Sequence, residues 1–180
     1  MPALLQTSPE LSAWEKDRVE RLLAEATKWV GTVEIGGDNK GPQVEAFQKV
    51  VDNKAQGEAW CMAFVQWCLE QSGGSDIFKS EHCLTVWSKS PEILRRAQPI
   101  PGCVAIWRTR GTLNGHAGIV KSVQGMLMNT IEGNTGPGAD VERNGDGVYL
   151  KSRSAYRSEK ARMELVGFLW PWLNEKKEET

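Results

Sequence analysis

Gly57-Glu58-Ala59-Trp60-Cys61-Met62-Ala63-Phe64-Val65-Gln66-Trp67-Cys68-Leu69 is the stretch on which the reading of this chain turns. Cys61, Phe64, Val65, Cys68 and Leu69 recur at i, i+3, i+4, i+7 and i+8, which predicts a helix with one apolar stripe. Ser72-Gly73-Gly74 marks its end. Cys61 therefore falls in the first helical turn, where the positive end of the helix dipole favours a thiolate. The N–H groups of a first turn have no partner within the helix and can hold an oxyanion. A cysteine on an apolar stripe is equally a small core hydrophobe, and Cys68 and Cys103 fit that description.

Upstream of this helix, Ser12-x-x-Glu15 resembles a capping box that opens a helix running to about Val30, with Gly31 as its C-cap. Val19, Leu22, Leu23, Ala26, Trp29 and Val30 give it an apolar face. The glycine-rich stretch 36–41 is a loop, and Pro42 suits the first turn of a second helix that buries Val44, Phe47 and Val51. Downstream, a short helical region holding Val86, Trp87, Ile93 and Leu94 is broken before Pro91, and Pro99 and Pro101 close the helical half. The rest reads as strands over 102–108, 116–123, 126–132, 148–152 and 164–169. Helices followed by strands predict an α+β domain, with N-terminal helices packed on an antiparallel β-sheet of about five to six strands.

Those strands carry the residues that give Cys61 a chemical context. His116, one of two histidines, opens a strand between Gly115 and Ala117-Gly118, small neighbours that leave room for its ring to approach a substrate. Glu132 closes the next strand, and in adjacent antiparallel strands the end of one lies beside the start of the other. A thiol, an imidazole and a carboxylate that orients the imidazole make up the nucleophile, base and orienter of cysteine hydrolases. Asn134, two residues further, either orients the ring or lines the oxyanion site. His82 reads as a surface or helix-cap residue.

In this order, G-E-A-W-C-M-A-F-V-Q-W-C, P-G-C-V-A-I-W, G-H-A-G-I-V and I-E-G-N-T resemble the motifs of a CHAP domain. That family, the cysteine- and histidine-dependent amidohydrolases/peptidases, belongs to the NlpC-like, papain-related superfamily. The upstream W-V-G-T-V-E-I-G-G-D-N-K-G-P-Q-V-E-A-F and the downstream G-D-G-V-Y-L-K-S-R and V-G-F-L-W-P extend the likeness from Trp29 to Pro171. The resemblance implies a papain-like fold in which Cys61 is the nucleophile, His116 the general base and acid, Glu132 the residue that orients it, and Asn134 a further polar site residue. It also implies bacterial peptidoglycan as substrate, cut at the N-acetylmuramoyl-L-alanine amide or at a peptide bond of the stem or cross-bridge. The domain expectation is an N-terminal helix over 1–28 packed on the same domain, a CHAP-like catalytic domain over 29–173 and a frayed charged tail over 174–180. Some relatives bind calcium, and Asp140-x-Glu142-x-Asn144-Gly145-Asp146-Gly147 faintly resembles a calcium loop. Lys151 stands where a bidentate glutamate is required, so the stretch reads as a turn and neither a metal nor another cofactor is expected.

Composition narrows the partners. The chain has 180 residues, a net charge of −1 and 40% hydrophobic content, enough for one real core, with no basic stripe to hold nucleic acid. No apolar run approaches the ~20 residues that span a bilayer, so no membrane insertion is expected. The first ten residues lack the features of a secretory signal, which gives the expectation of cytoplasmic synthesis and action on the wall after release or secretion. A phage endolysin freed through a holin and an injected bacteriolytic effector are the two routes considered, and a monomer is expected. The four cysteines show no metal-ligand spacing, and Cys61 and Cys68 lie about 10 Å apart along one helix, too far for a disulfide. Of the eight tryptophans, Trp14, Trp29, Trp67, Trp87 and Trp170 read as packing residues, while Trp60 and Trp107 are candidates for a substrate-binding cleft wall. The rival functions are a papain-like protease or transferase acting on proteins, and a non-catalytic binding domain.

Overall fold

The computed structural model describes residues 10–138, 145–158 and 161–173. The expected tail over 174–180, and Asp140, Glu142 and Asn144 of the calcium-like stretch, lie outside these residues. The element order is helices first, strands after: α1 (Ala13–Lys28), α2 (Pro42–Asp52), α3 (Cys61–Gln71), α4 (Cys83–Lys89), then β1 (Arg95–Arg96), β2 (Val104–Thr109), β3 (Gly115–Gln124), β4 (Leu127–Thr135), β5 (Gly147–Ser154) and β6 (Met163–Leu169). The strands form one six-stranded antiparallel sheet in the order β1-β6-β2-β3-β4-β5. The α+β architecture expected from the sequence is thus the one observed. Among the described residues no helix is long and apolar enough to cross a membrane.

Local chemistry accounts for the element boundaries. Ser12 and Glu15 close a reciprocal capping box, Glu15 N–H to Ser12 Oγ at 3.2 Å and Ser12 N–H to Glu15 Oε2 at 2.8 Å. α1 ends earlier than its apolar pattern suggested. Trp29 and Val30 donate to Ala26 and Thr27 at 3.3 Å, tightening the last turn. Gly31 instead donates to Val148 O at 2.9 Å, starting a short strap along the edge of β5. The two-residue β1 escaped the sequence reading because a strand of that length has no periodicity. It exists only through its pairing with Phe168 and Leu169 of β6.

The core lies between the sheet and helices α1 to α3, with Leu22, Val44, Phe47, Phe64, Ile106, Ile119 and Ile131 fully buried. Phe47 is its aromatic hub, stacked on Trp60 at 5.7 Å and edge-on to Trp29, Phe64 and Trp67 at 5.3–5.6 Å. Helix α3 packs across β3 and β4, and α4 across β2 and β3. A Cβ on Gly133 would meet Phe64 Cβ and Trp60 Cζ3 at 2.8 Å. Only glycine lets β4 approach α3 this closely, and the approach carries the end of β4 to the start of α3.

Candidate active site

Cys61, His116 and Asn134 share a cleft of about 500 Å³, with Glu132 directly behind it. Cys61 is the first residue of α3, whose N-cap, Trp60, supplies no side-chain cap. The N–H groups of the first turn therefore have no intrahelical acceptor. His116 is the second residue of β3, opposite Trp107 of β2, and its ring lies 5.9 Å from the indole of Trp107. The Trp107 indole packs tilted against the imidazole.

The imidazole is held between two partners. Its Nε2 lies 2.8 Å from Glu132 Oε2, and on its other side the Cys61 sulfur is near enough to shift its protonation. With Nε2 engaged by the carboxylate, Nδ1 is the nitrogen left for the thiol. Glu132 is wholly buried yet remains ionised. Burial works against its charge, but the Arg153 guanidinium and His116 outweigh it and hold its pKa down at about 2. Arg153 Nε and Nη2 sit 2.9 and 2.7 Å from its two oxygens, and Thr130 Oγ1 donates at 2.5 Å. Burial likewise opposes the imidazolium, but hydrogen bonds and charge from Cys61 and Glu132 prevail and raise His116 to about 9. Cys61 falls well below a free thiol, through the hydrogen bond from Cys83 first and, against burial, through His116. These opposite shifts favour a thiolate beside an imidazolium in the resting pair.

Asn134 lines the cleft, and its amide is engaged by backbone groups rather than by the His116 ring. A one-residue bulge in the β4–β5 ladder between Glu132 and Thr135 puts Asn134 at φ 52° and turns its side chain toward α3. In the amide orientation that satisfies both groups, its nitrogen donates to Gly145 O at 2.9 Å and its oxygen accepts Trp60 N–H at 3.2 Å. Asn134 thus fixes the residue before Cys61 while lining the cleft.

The two tryptophans expected on the cleft wall are elsewhere. Trp60 is fully buried, its indole N–H bonded to Glu34 Oε1 at 2.8 Å and its ring stacked on Phe47. The helix start turns its side chain inward, away from Cys61's cleft. Trp107 is 4% exposed and lies under His116. Neither lines the cleft, whose walls are instead mixed, with Asn39, Glu58, Glu81 and Arg162 beside Leu113 and Met163. The small residues around His116 also serve a different end from substrate access. A Cβ on Gly115 would lie 2.7 Å from Cys83 Cβ, and one on Gly118 2.6 Å from Glu132 Cγ. These glycines make room for the partners of the site.

Arg153 and Cys83 were not singled out from the sequence. Arg153 had a signal: in β5 Lys151 and Arg153 occupy buried positions while Leu150 faces out, an inverted pattern that implies a buried anion opposite. Lys151, at the twelfth position of the calcium-like stretch, donates to Gly136 O at 2.6 Å and to Gly138 O. Cys83, 22 positions from Cys61, carried no local signal at all.

No curated protein matches the sequence. Among solved structures the chain is similar to the crystal structure of Ly7917, at 17% identity and a TM-score of 0.49, over 85% of this chain and 62% of that one. Residues 53–134 match the family model described as the CHAP domain. Cys61, His116, Glu132 and Asn134 all fall within that segment, which is similar to the CHAP domain.

Proposed function

We propose that the protein is a peptidoglycan hydrolase that cleaves an amide bond with Cys61 as nucleophile, as an N-acetylmuramoyl-L-alanine amidase or a stem or cross-bridge endopeptidase. The family is one of amidase- and peptidase-type hydrolases, which supports the reaction class. The observation that carries the reading is the buried line from the Cys61 sulfur through His116 to Glu132, anchored by Arg153. The Cys61 thiolate attacks the amide carbonyl, and the oxyanion is held partly by the Cys61 backbone N–H at the start of α3. His116, carrying the proton from the Cys61 thiol and held protonated by Glu132, gives it to the leaving amine. It then takes one from the water that releases the acyl-enzyme. Glu132 holds the ring in place, and Arg153 keeps Glu132 anionic.

Delivery as a phage endolysin or as a secreted bacteriolytic effector belongs to the same proposal, as does action as a monomer on the wall. Incubation of the reduced protein with purified peptidoglycan, followed by mass spectrometry of the soluble fragments, tests it. Free stem peptides identify an amidase, and fragments cut within the peptide identify an endopeptidase. Intact walls alongside cleavage of protein substrates would replace this reading with the papain-like protease.

A further inference from the structure

The cleft holds a second thiol that the proposed hydrolysis does not consume. Cys83 Sγ lies 3.7 Å from Cys61 Sγ. Both residues line the same cleft and are no more than 5% exposed. The approach is built into the fold: Cys83 is the first residue of α4, and α4 can start against β3 only because Gly115 has no Cβ to meet it. A disulfide needs an S–S distance of about 2.0 Å, so the sulfurs must close by about 1.7 Å, within reach of side-chain rotation. Cys68 and Cys103 are also buried free thiols, but neither lines this cleft.

We propose that Cys83 is a resolving thiol: hydroperoxide oxidation of Cys61 is captured as a reversible Cys61–Cys83 disulfide that takes the nucleophile out of use. The proposal rests on Cys61 being the reactive thiolate of the preceding section. In the first step the Cys61 thiolate attacks one peroxide oxygen and the O–O bond breaks. The departing hydroxide takes a proton from the His116 imidazolium and leaves as water, and Cys61 becomes a sulfenic acid. In the second, the Cys83 sulfur attacks the Cys61 sulfur, the S–O bond breaks, and the Cys83 proton leaves with the hydroxyl as a second water. Two thiols and one hydroperoxide thus give one disulfide and two waters, or one water and an alcohol for an organic peroxide. Before oxidation the Cys61 thiolate and burial hold Cys83 as a thiol, so it brings its proton to the second step. Once Cys61 is a sulfenic acid, that negative charge no longer opposes the proton's release as the sulfur attacks. A dithiol reductant reverses the change, whereas a Cys61 without a resolving partner proceeds to the irreversible sulfinic acid.

The test treats the reduced full chain with equimolar hydrogen peroxide, blocks free thiols, and maps the products by chymotryptic mass spectrometry. Cleavage after Phe64 and Trp67 separates Cys61 from Cys68. The expected product is a Cys61 peptide joined to a Cys83 peptide, its yield rising as iodoacetamide labelling of Cys61 falls, both reversed by dithiothreitol. Cys61 recovered as sulfinic acid with Cys83 still free, or a disulfide through Cys68 or Cys103, overturns the proposal. In Cys83→Ala, peroxide should reduce the labelling of Cys61 that dithiothreitol can restore by at least about tenfold relative to wild type. Equal recovery in the two also overturns it, and if this variant does not fold, the wild-type map alone decides. Wall lysis is assayed in parallel on the reduced chain. A disulfide formed by a protein that lyses no wall leaves this proposal standing and removes the hydrolase reading.

Discussion

Glu132 reaches His116 by leaning over a glycine. The β3–β4 register pairs Ile119 with Ile131 and, extended, sets Glu132 opposite Gly118, so His116 is its diagonal neighbour on the sheet face. The Glu132 Cγ occupies the space a Gly118 side chain would fill, and the carboxylate arrives 2.8 Å from His116 Nε2. Gly118→Ala should therefore displace the carboxylate. The overpacking should cost about 1–3 kcal/mol and lower activity well beyond what a change outside the cleft would do. Melting curves and wall-turbidity assays on this variant check it, and full activity would show that the His116–Glu132 contact is dispensable.

Removing the proposed nucleophile should separate chemistry from folding. Cys61→Ser and His116→Ala should each lose about a thousandfold or more in wall lysis, since a serine hydroxyl is not ionised in a site tuned for a thiolate. The Cys61→Ser melting transition should move by no more than about 1–2 kcal/mol, because the volume is kept and His116 can partner the hydroxyl. Retained lysis in Cys61→Ser would sink the nucleophile assignment.

Glu132→Gln tests a buried charge as well as an orienting group. Arg153 and His116 would both lose their counter-charge in a site closed to water, and the fold should weaken by about 3–5 kcal/mol. The folded fraction should keep part of its specific activity, since the amide oxygen can still orient the ring. Denaturant titration with activity per folded molecule measures both. A stability equal to that of the wild type would mean that the Glu132–Arg153 pair contributes little.

The site gives stability a defined pH dependence. His116 is raised from its ordinary 6.5 to about 9, so its contribution is complete below 6.5 and is lost as pH rises through about 9. Cys61 is depressed from its ordinary 9.0, so its contribution is complete above 9.0 and is lost as pH falls. Between 6.5 and 9 the two offset each other, because one proton has only moved from thiol to imidazole. In Cys61→Ala the histidine, still beside Glu132, should leave a melting temperature that falls with rising pH, against a flatter wild-type profile over this range. Superimposable slopes would contradict the ion pair. On the acid side, Glu132's contribution is complete above its ordinary 4.5 and is lost as pH falls through about 2.

The thiols should be chemically unequal. Burial pushes Cys68 well above a free thiol and Cys103 up to about 12, while Cys61 lies well below. A short iodoacetamide pulse on the folded, reduced protein should label Cys61 first, and peptide mapping reads the order. Faster labelling of Cys68 or Cys103 would contradict the thiolate assignment.

The sequence by itself determined the elements and the candidate residues, because both rest on local physics. Apolar spacing fixed α3 and put Cys61 in its first turn, Ser12 and Glu15 carried their own capping box, and the glycine-bounded strands announced an antiparallel sheet. Cys61, His116, Glu132 and Asn134 were legible as residue types able to do one piece of chemistry, in motifs that resembled one family. What only the tertiary structure decided was which groups touch. The fate of Trp60 depended on the direction its side chain leaves the helix start, which no periodicity specifies for an N-cap. Asn134 was turned toward Trp60 N–H by a bulge whose cause is strand pairing. Arg153 met Glu132 because β5 lies beside β4 with its charged residues turned inward. Cys83 came to rest 3.7 Å from Cys61 through the docking of a separate short helix. Contacts between residues distant in sequence come from packing and register, and these are properties of the assembled sheet and helices rather than of any one segment.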